Sequence, residues 1–133
     1  MPDYLQGFNI TVRPVSPYKI SDGFCKLLPQ NTGDCVNGYL THNYTYENPN
    51  DFVYSLYFQI NNTNYSVNIL QIKHDENLYP VELKMILKDT NIEETISKCP
   101  EEFQKNIKNV FFDDTVKKVI YNLIDIANVS NKR

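Results

Sequence analysis

Tryptophan is absent from this 133-residue chain, and glycine (four residues) and cysteine (three) are scarce. Each shortage removes a class of protein. A phosphate cradle needs glycines close together so that backbone amides can approach the anion. Gly7, Gly23, Gly33 and Gly38 are dispersed, and no Walker motif, nucleophile elbow or HExxH follows them. No apolar run reaches the roughly 20 residues of a membrane helix, so no spanning segment is expected. Positive charge is short where it would matter for nucleic acid. Arg13, Lys19 and Lys26 are the only basic residues between Met1 and Ile72, the stretch that holds most of the aromatics. Lys105, Lys108, Lys117 and Lys118 stand among as many acids, and the net charge is −3. Tyrosines alone do not hold a phosphate backbone without a cationic groove, so nucleic acid is not the expected partner.

The cysteines set the next limits. Cys25, Cys35 and Cys99 are an odd number at irregular spacing, unlike the even sets of small secreted scaffolds. Zinc sites bring their ligands in close pairs, whereas nine residues separate Cys25 from Cys35 and six separate Cys35 from His42. No metal site and no cofactor are therefore expected, and the thiols read as buried or half-buried. The start, Met1-Pro2-Asp3-Tyr4, lacks the basic and apolar regions of a signal peptide. Five Asn-x-Ser/Thr triplets, at Asn9, Asn43, Asn61, Asn64 and Asn128, point the other way. With 17 Asn and 14 Ser plus Thr in the chain, chance alone supplies about two such triplets. The expectation is a reducing, cytoplasmic setting, and an Asn- and Lys-rich composition that suits an AT-rich genome.

What is present is pattern. Phe8, Ile10 and Val12 alternate with polar neighbours and predict a short strand ending at Pro14. Between Val15 and Gly38 the pattern dissolves. Ser21-Asp22-Gly23 and Asn31-Thr32-Gly33-Asp34 read as turns, with one helical turn over Phe24–Leu28 between them. From Tyr39 to Leu87 period two takes over. Leu40, His42, Tyr44 and Tyr46 share one side of a strand that breaks at Asn48-Pro49-Asn50. Phe52, Tyr54, Leu56, Phe58 and Ile60 form the clearest row, and Asn61–Asn64 makes a hairpin loop. The returning strand carries Tyr65, Val67 and Ile69 on one parity but Leu70 and Ile72 on the other. His74–Asn77 is a polar turn, and Val81, Leu83, Met85 and Leu87 align in a further strand.

The last third changes period. Thr90-Asn91-Ile92-Glu93 has the form of a capping box and predicts a brief helix ending near Lys98. Pro100 suits the first position of a second helix with Glu101 and Glu102 in its first turn and Phe103, Ile107, Val110 and Phe111 at helical spacing. Asp113 or Asp114 caps a third, in which Val116, Val119, Ile120, Leu123, Ile124 and Ala127 make an apolar stripe. Short connections between strands predict an antiparallel meander. Residues 1–133 thus read as a single α+β domain: a meander of four to five strands with two to three C-terminal helices packed on one face.

Candidate chemistry is thin. Cys35 and His42 are the obvious nucleophile and base, but His42 falls on the apolar side of its strand, where a partly buried imidazole is the ordinary reading. The acid pairs Glu93-Glu94, Glu101-Glu102 and Asp113-Asp114 sit at predicted helix starts, and Asp75-Glu76 lies in a turn. Helix amides and dipoles account for the first three. No catalytic residues are assigned and no enzyme is expected. The distinctive feature is tyrosine: ten in the chain, six of them from Tyr39 to Tyr65. If Phe52, Tyr54, Leu56 and Phe58 face the helices, Val53, Ser55, Tyr57 and Gln59 face outward, joined by Tyr39, Thr41 and Asn43 and by Asn68 and Leu70. Tyrosine offers large contact area at small entropic cost and is enriched at interfaces. The candidate binding residues are accordingly Tyr39, Thr41, Asn43, Tyr57, Gln59 and Asn68.

A small acidic domain with a sheet, C-terminal helices and no catalytic motif is similar in type to bacterial and phage accessory proteins that act by binding. Immunity proteins that neutralise a toxin and phage anti-defence inhibitors are two such groups. The expected function is therefore a non-enzymatic, cytoplasmic module that binds and inhibits another protein in a hetero-complex. The alternative is a small-ligand module or enzyme whose pocket lies between the sheet and segment 15–38, with Cys25, Cys35, His42 and His74 around it. A homo-oligomeric structural protein is the third reading.

Overall fold

The computed structural model describes residues 15–43 and 51–131, with side chains through Val129. The strand expected over Phe8–Val12, the positions of Tyr44 and Tyr46, and the Asn48–Asn50 break lie outside the described residues. The elements run α1 (Pro17–Asn31), β1 (Val36–Asn43), β2 (Phe52–Ile60), β3 (Ser66–His74), β4 (Val81–Met85), β5 (Thr95–Ser97), α2 (Pro100–Phe111) and α3 (Asp114–Asn131). The five strands form one antiparallel sheet in the order β1-β2-β3-β4-β5. This is the expected α+β meander followed by C-terminal helices.

Two local expectations fail. Segment 15–38 is not irregular: it opens with a 15-residue helix. Ser16 accepts the amide of Lys19 as N-cap and Pro17 fills the first turn, where its missing N–H has no intrahelical role. Ser21 donates to the carbonyl of Pro17 at 2.8 Å, so its hydroxyl is satisfied inside the helix instead of starting a turn. Pro17, Ser21, Cys25 and Leu28 then make a buried stripe at helical spacing. A stripe with only two large apolar members is faint in the sequence. It is packing on β1 that sustains the helix. At its end the Thr32 hydroxyl donates to the Leu28 carbonyl and accepts from the Val36 amide, joining α1 to β1.

The second failure is the helix expected after Thr90. Thr95–Ser97 instead pairs as an edge strand with β4, Val81 opposite Ser97 and Leu83 opposite Thr95. A free β4 edge supplies ladder bonds that a two-turn helix does not outcompete. Ser97 is buried and accepts from Asn106 of α2 at 2.8 Å, which ties β5 to the helices.

The helices cover one face. α1 lies on β1, α3 on β1 and β2, and α2 on β5 and α1. Beneath them Leu56, Phe58, Leu70, Ile72, Leu83, Phe103, Ile107 and Val116 are fully buried in one core, each large side chain contributing roughly 1.5–3 kcal/mol relative to exposure. The parity change in β3 has a single cause. Leu56 pairs with Leu70 but Tyr57 pairs with Asn68, leaving Ile69 as an extra residue in a bulge. Val67 before the bulge and Leu70 and Ile72 after it therefore all reach the core side. Leu70, expected outward, is buried there.

Asp113 provides the third anchor, as the sequence suggested. Its carboxylate accepts the amides of Thr115 and Val116 at the start of α3 and that of Asn91 from the β4–β5 connection.

Gly38 allows the approach of α1. A Cβ at this position would sit 3.0 Å from Cys25 Cβ, Cys25 Sγ and Leu28 Cδ1. Gly38→Ala is expected to destabilise the fold by about 1–3 kcal/mol in urea unfolding, through overpacking of α1 against β1. The Cys25 thiol beneath it is pushed up to about 12 from 9.0, first by burial and then by the Asp22 carboxylate. The folded state thus holds this proton more tightly than the unfolded chain does. Its contribution to stability is complete below pH 9 and is lost as the pH rises towards about 12. Cys25→Ala should flatten part of that alkaline decline in stability, measured by denaturant midpoints between pH 8 and 11; an unchanged decline would assign it elsewhere.

Candidate functional site

The outer face of the sheet gathers the residues singled out above. In an antiparallel pair, residues directly opposite one another share a face. Tyr39 is opposite Tyr57, Thr41 opposite Ser55, Asn43 opposite Val53 and Asn37 opposite Gln59. Tyr57 is in turn opposite Asn68, and Gln59 opposite Ser66. All six candidate residues therefore lie on the side away from the helices, because the bulge at Ile69 keeps Asn68 outward beside Tyr57.

At the centre the rings of Tyr39 and Tyr57 are stacked, with centroids 5.2 Å apart and planes 7° from parallel. Both are half-buried. Around them the amides are partly engaged with their own surroundings. Asn43 donates to Ser55 Oγ, and Gln59 Nε2 donates to the Thr63 carbonyl at 2.7 Å. Asn37 Nδ2 reaches Asn61 Oδ1 at 3.5 Å. The acceptors Asn37 Oδ1 and Asn68 Oδ1 are buried and find no hydrogen-bond partner among the described residues. Val53 and Ser55 share this face but are only 3% exposed, so its accessible part is centred on the tyrosine pair. Charge gathers on the β3–β4 part of the face, where Lys73 pairs with Asp51 at 3.5 Å, Glu82 lies opposite Lys73 and Lys84 lies opposite Gln71. Over β1 and β2 the face presents aromatic area and amides with little charge.

The soft-ligand candidates do not assemble. Cys25 is in the core, Cys35 is in the turn after α1 with its thiol 3.7 Å from Asn128 Oδ1, and Cys99 precedes α2. All three are free thiols. Among the described residues no group of three His, Cys, Asp or Glu side chains is placed to hold a metal ion. The acid pairs separate in role. Asp113 and Glu102 accept backbone amides, from α3 and from Lys98, while Asp75 accepts the Asn77 amide within its turn.

The two histidines do come together, a juxtaposition that reading the strands singly does not reveal. His42 packs edge-on to Tyr54 with centroids 4.8 Å apart, and His74 lies 5.6 Å from the same ring. Tyr18 of α1 stacks on His42 at 5.9 Å, and Phe52 stacks on His74 at 5.4 Å. His42 is on the helix side of β1 but exposed, whereas His74 is buried with Nδ1 2.7 Å from the Asp75 carbonyl. Burial, and then the neighbouring Tyr18, hold the Tyr54 phenol above its usual range. The parity of His42, Tyr54 and His74 in the strand pairing carries the signal for this cluster; Tyr18 becomes legible only once α1 is known.

Comparison with protein-family models, with curated proteins and with solved structures finds no match. The fold and the face therefore define the protein only as an α+β domain with a tyrosine- and amide-rich sheet surface. Among the described residues no helix is long and apolar enough to cross a membrane.

The stacked tyrosines are expected to couple measurably. A double-mutant cycle with Tyr39→Leu and Tyr57→Leu should give an interaction of about 0.5–1.5 kcal/mol in unfolding free energy. Additive effects would mean that the rings lie side by side without contributing to each other.

Proposed function

We propose that the protein is a non-enzymatic binding module whose outer sheet face docks onto another protein. The observation that carries this reading is the Tyr39–Tyr57 stack at the centre of a low-charge face, with Thr41, Asn43, Gln59 and Asn68 around it. Each tyrosine keeps the other's ring oriented, so little side-chain freedom remains to be lost on binding. The surrounding amides offer donors and acceptors to a partner's backbone or side chains. A partner of matching chemistry presents an apolar or aromatic centre ringed by polar groups, over a standard interface of roughly 1,200–2,000 Å².

The setting we propose is the cytoplasm of a bacterium or a phage-infected cell. Three free cysteines, one of them sealed in the core, support a reducing compartment. In that setting the binding is inhibitory, as in immunity or anti-defence proteins, and the partner is a toxin or a defence factor. A small, acidic, tyrosine-faced domain is of the type that acts in this way.

The test uses the tagged protein expressed in a bacterial host to isolate and identify a partner, followed by titration with purified components. Tyr57→Ala is expected to weaken binding by at least about 1–2 kcal/mol while leaving the circular dichroism spectrum unchanged. Tyr121→Ala, on the helical side of the molecule, should leave affinity as it was. Full affinity in folded Tyr57→Ala would overturn the assignment of the sheet face, and unaltered partner activity at saturation would overturn the inhibitory role.

A further inference from the structure

The helical side carries a cavity that the tyrosine face does not use. It lies between α1 and the α2–α3 corner and encloses about 360 Å³, within the usual range of small-molecule sites. Leu28, Phe111, Ile120 and Ile124 line its deeper part, all buried or half-buried. Leu27, Phe112 and Tyr121 stand at the mouth, 45%, 60% and 64% exposed. A second hollow of about 290 Å³ continues along α1 past Phe24 and Leu27, bounded by Ile20, Gly23 and Gln104. Among the described residues nothing lies within 4 Å of where a Gly23 side chain would begin, so they leave the hollow open there.

The polar groups decide what such a groove accepts. Asn31 Nδ2 is spent on the Leu27 carbonyl, and the Thr32 hydroxyl on Leu28 O and Val36 N. Lys117 and Tyr121 remain, one helical turn apart on the same side of α3. The carboxylate one turn before Lys117, that of Asp113, is turned onto the backbone amides of Asn91, Thr115 and Val116. The ion pairs found among the described residues are Lys26–Asp22 and Lys73–Asp51, neither at this site. Instead the ammonium groups of Lys117 and Lys108 both lie over the Phe112 ring, 5.3 and 6.0 Å from its centroid. Lys117 thus stands on the rim of an apolar groove with Lys108 over the same Phe112 ring, and neither ammonium is in an ion pair among the described residues. The complementary ligand has a long apolar body and one anionic end.

We propose that this groove binds a single-chain amphiphile with a carboxylate head, of the fatty-acid class. The chain lies between α1 and α3 and extends over Leu27 towards Gly23, and the carboxylate meets Lys117 and the Tyr121 hydroxyl. This site is on the opposite side of the sheet from the tyrosine face, so the two assignments stand or fall separately.

The probes are sodium decanoate and decyltrimethylammonium, which share a chain and differ in the charge of the head. Both are titrated into the full-length protein below micelle formation, by calorimetry and by amide chemical shifts. Decanoate is expected to bind with shifts confined to α1, the end of α2 and α3, and the cationic amphiphile to bind markedly more weakly. Lys117→Gln should weaken decanoate about threefold to tenfold, the range for a partly exposed charge-assisted contact. Leu27→Glu, at an exposed position that the fold tolerates, should abolish decanoate binding. Equal binding of the two amphiphiles, shifts elsewhere, or full affinity in folded Leu27→Glu would overturn the proposal. So would a solution dimer dispersed by Leu27→Glu, since a second copy would then be the occupant of the groove.

Discussion

The sheet is apolar on one side and tyrosine- and amide-rich on the other only because β3 takes up one extra residue at Ile69. Side chains alternate strictly along a strand, and a slip of one position would move a whole set to the wrong face. Without the bulge, a β3 registered through Val67 would send Leu70 and Ile72 outward, and one registered through Leu70 would turn Asn68 into the core. The core cluster under the helices and the polar surface beyond it therefore share one cause. Tyr57 meets Asn68 on one side of the bulge while Leu56 meets Leu70 on the other.

That division sets two different surfaces at work. The outer face is formed by neighbours across strands, so its central feature, the Tyr39–Tyr57 stack, belongs to the sheet and not to any one strand. The helical side is formed by three helices resting on the apolar face of the sheet. A groove lies between α1 and the α2–α3 corner. Gly38 brings α1 down onto β1 at one place, and the bulk of Phe24 and Phe111, 5.3 Å apart, bridges to α2 at another. The groove lies beside these contacts.

Much of this was readable in the chain. The row from Phe52 to Ile60, the Asn61–Asn64 hairpin with Asn62 at positive φ, Pro100 opening α2 and Asp113 capping α3 all stand as expected. These are local signals: alternation, a turn residue, a cap. Tyr39, Thr41, Asn43, Tyr57 and Gln59 also followed, because they depend only on parity within strands and on short connections, whereas Asn68 is outward together with a buried Leu70 only because of the bulge. Two elements went astray for a common reason. α1 looked broken by a turn at Ser21-Asp22-Gly23, yet its polar groups are satisfied within the helix and its stripe rests on β1. Thr90–Glu93 looked like a helix start, yet the open edge of β4 drew Thr95–Ser97 into the sheet. In both, packing against a neighbour outweighed the local preference.

The amino-acid order by itself determined which residues alternate, where turns and caps fall, and hence a meander with helices behind it. Those are short-range effects of backbone conformation and side-chain periodicity. Only the tertiary structure decided that Ile69 bulges, that Leu70 is interior, that His42 and His74 share the ring of Tyr54, and that Lys117 and Lys108 converge over Phe112. Each of these joins residues from separate elements. Their distances are set by how sheets and helices fill a common core, a constraint that no local stretch of sequence carries.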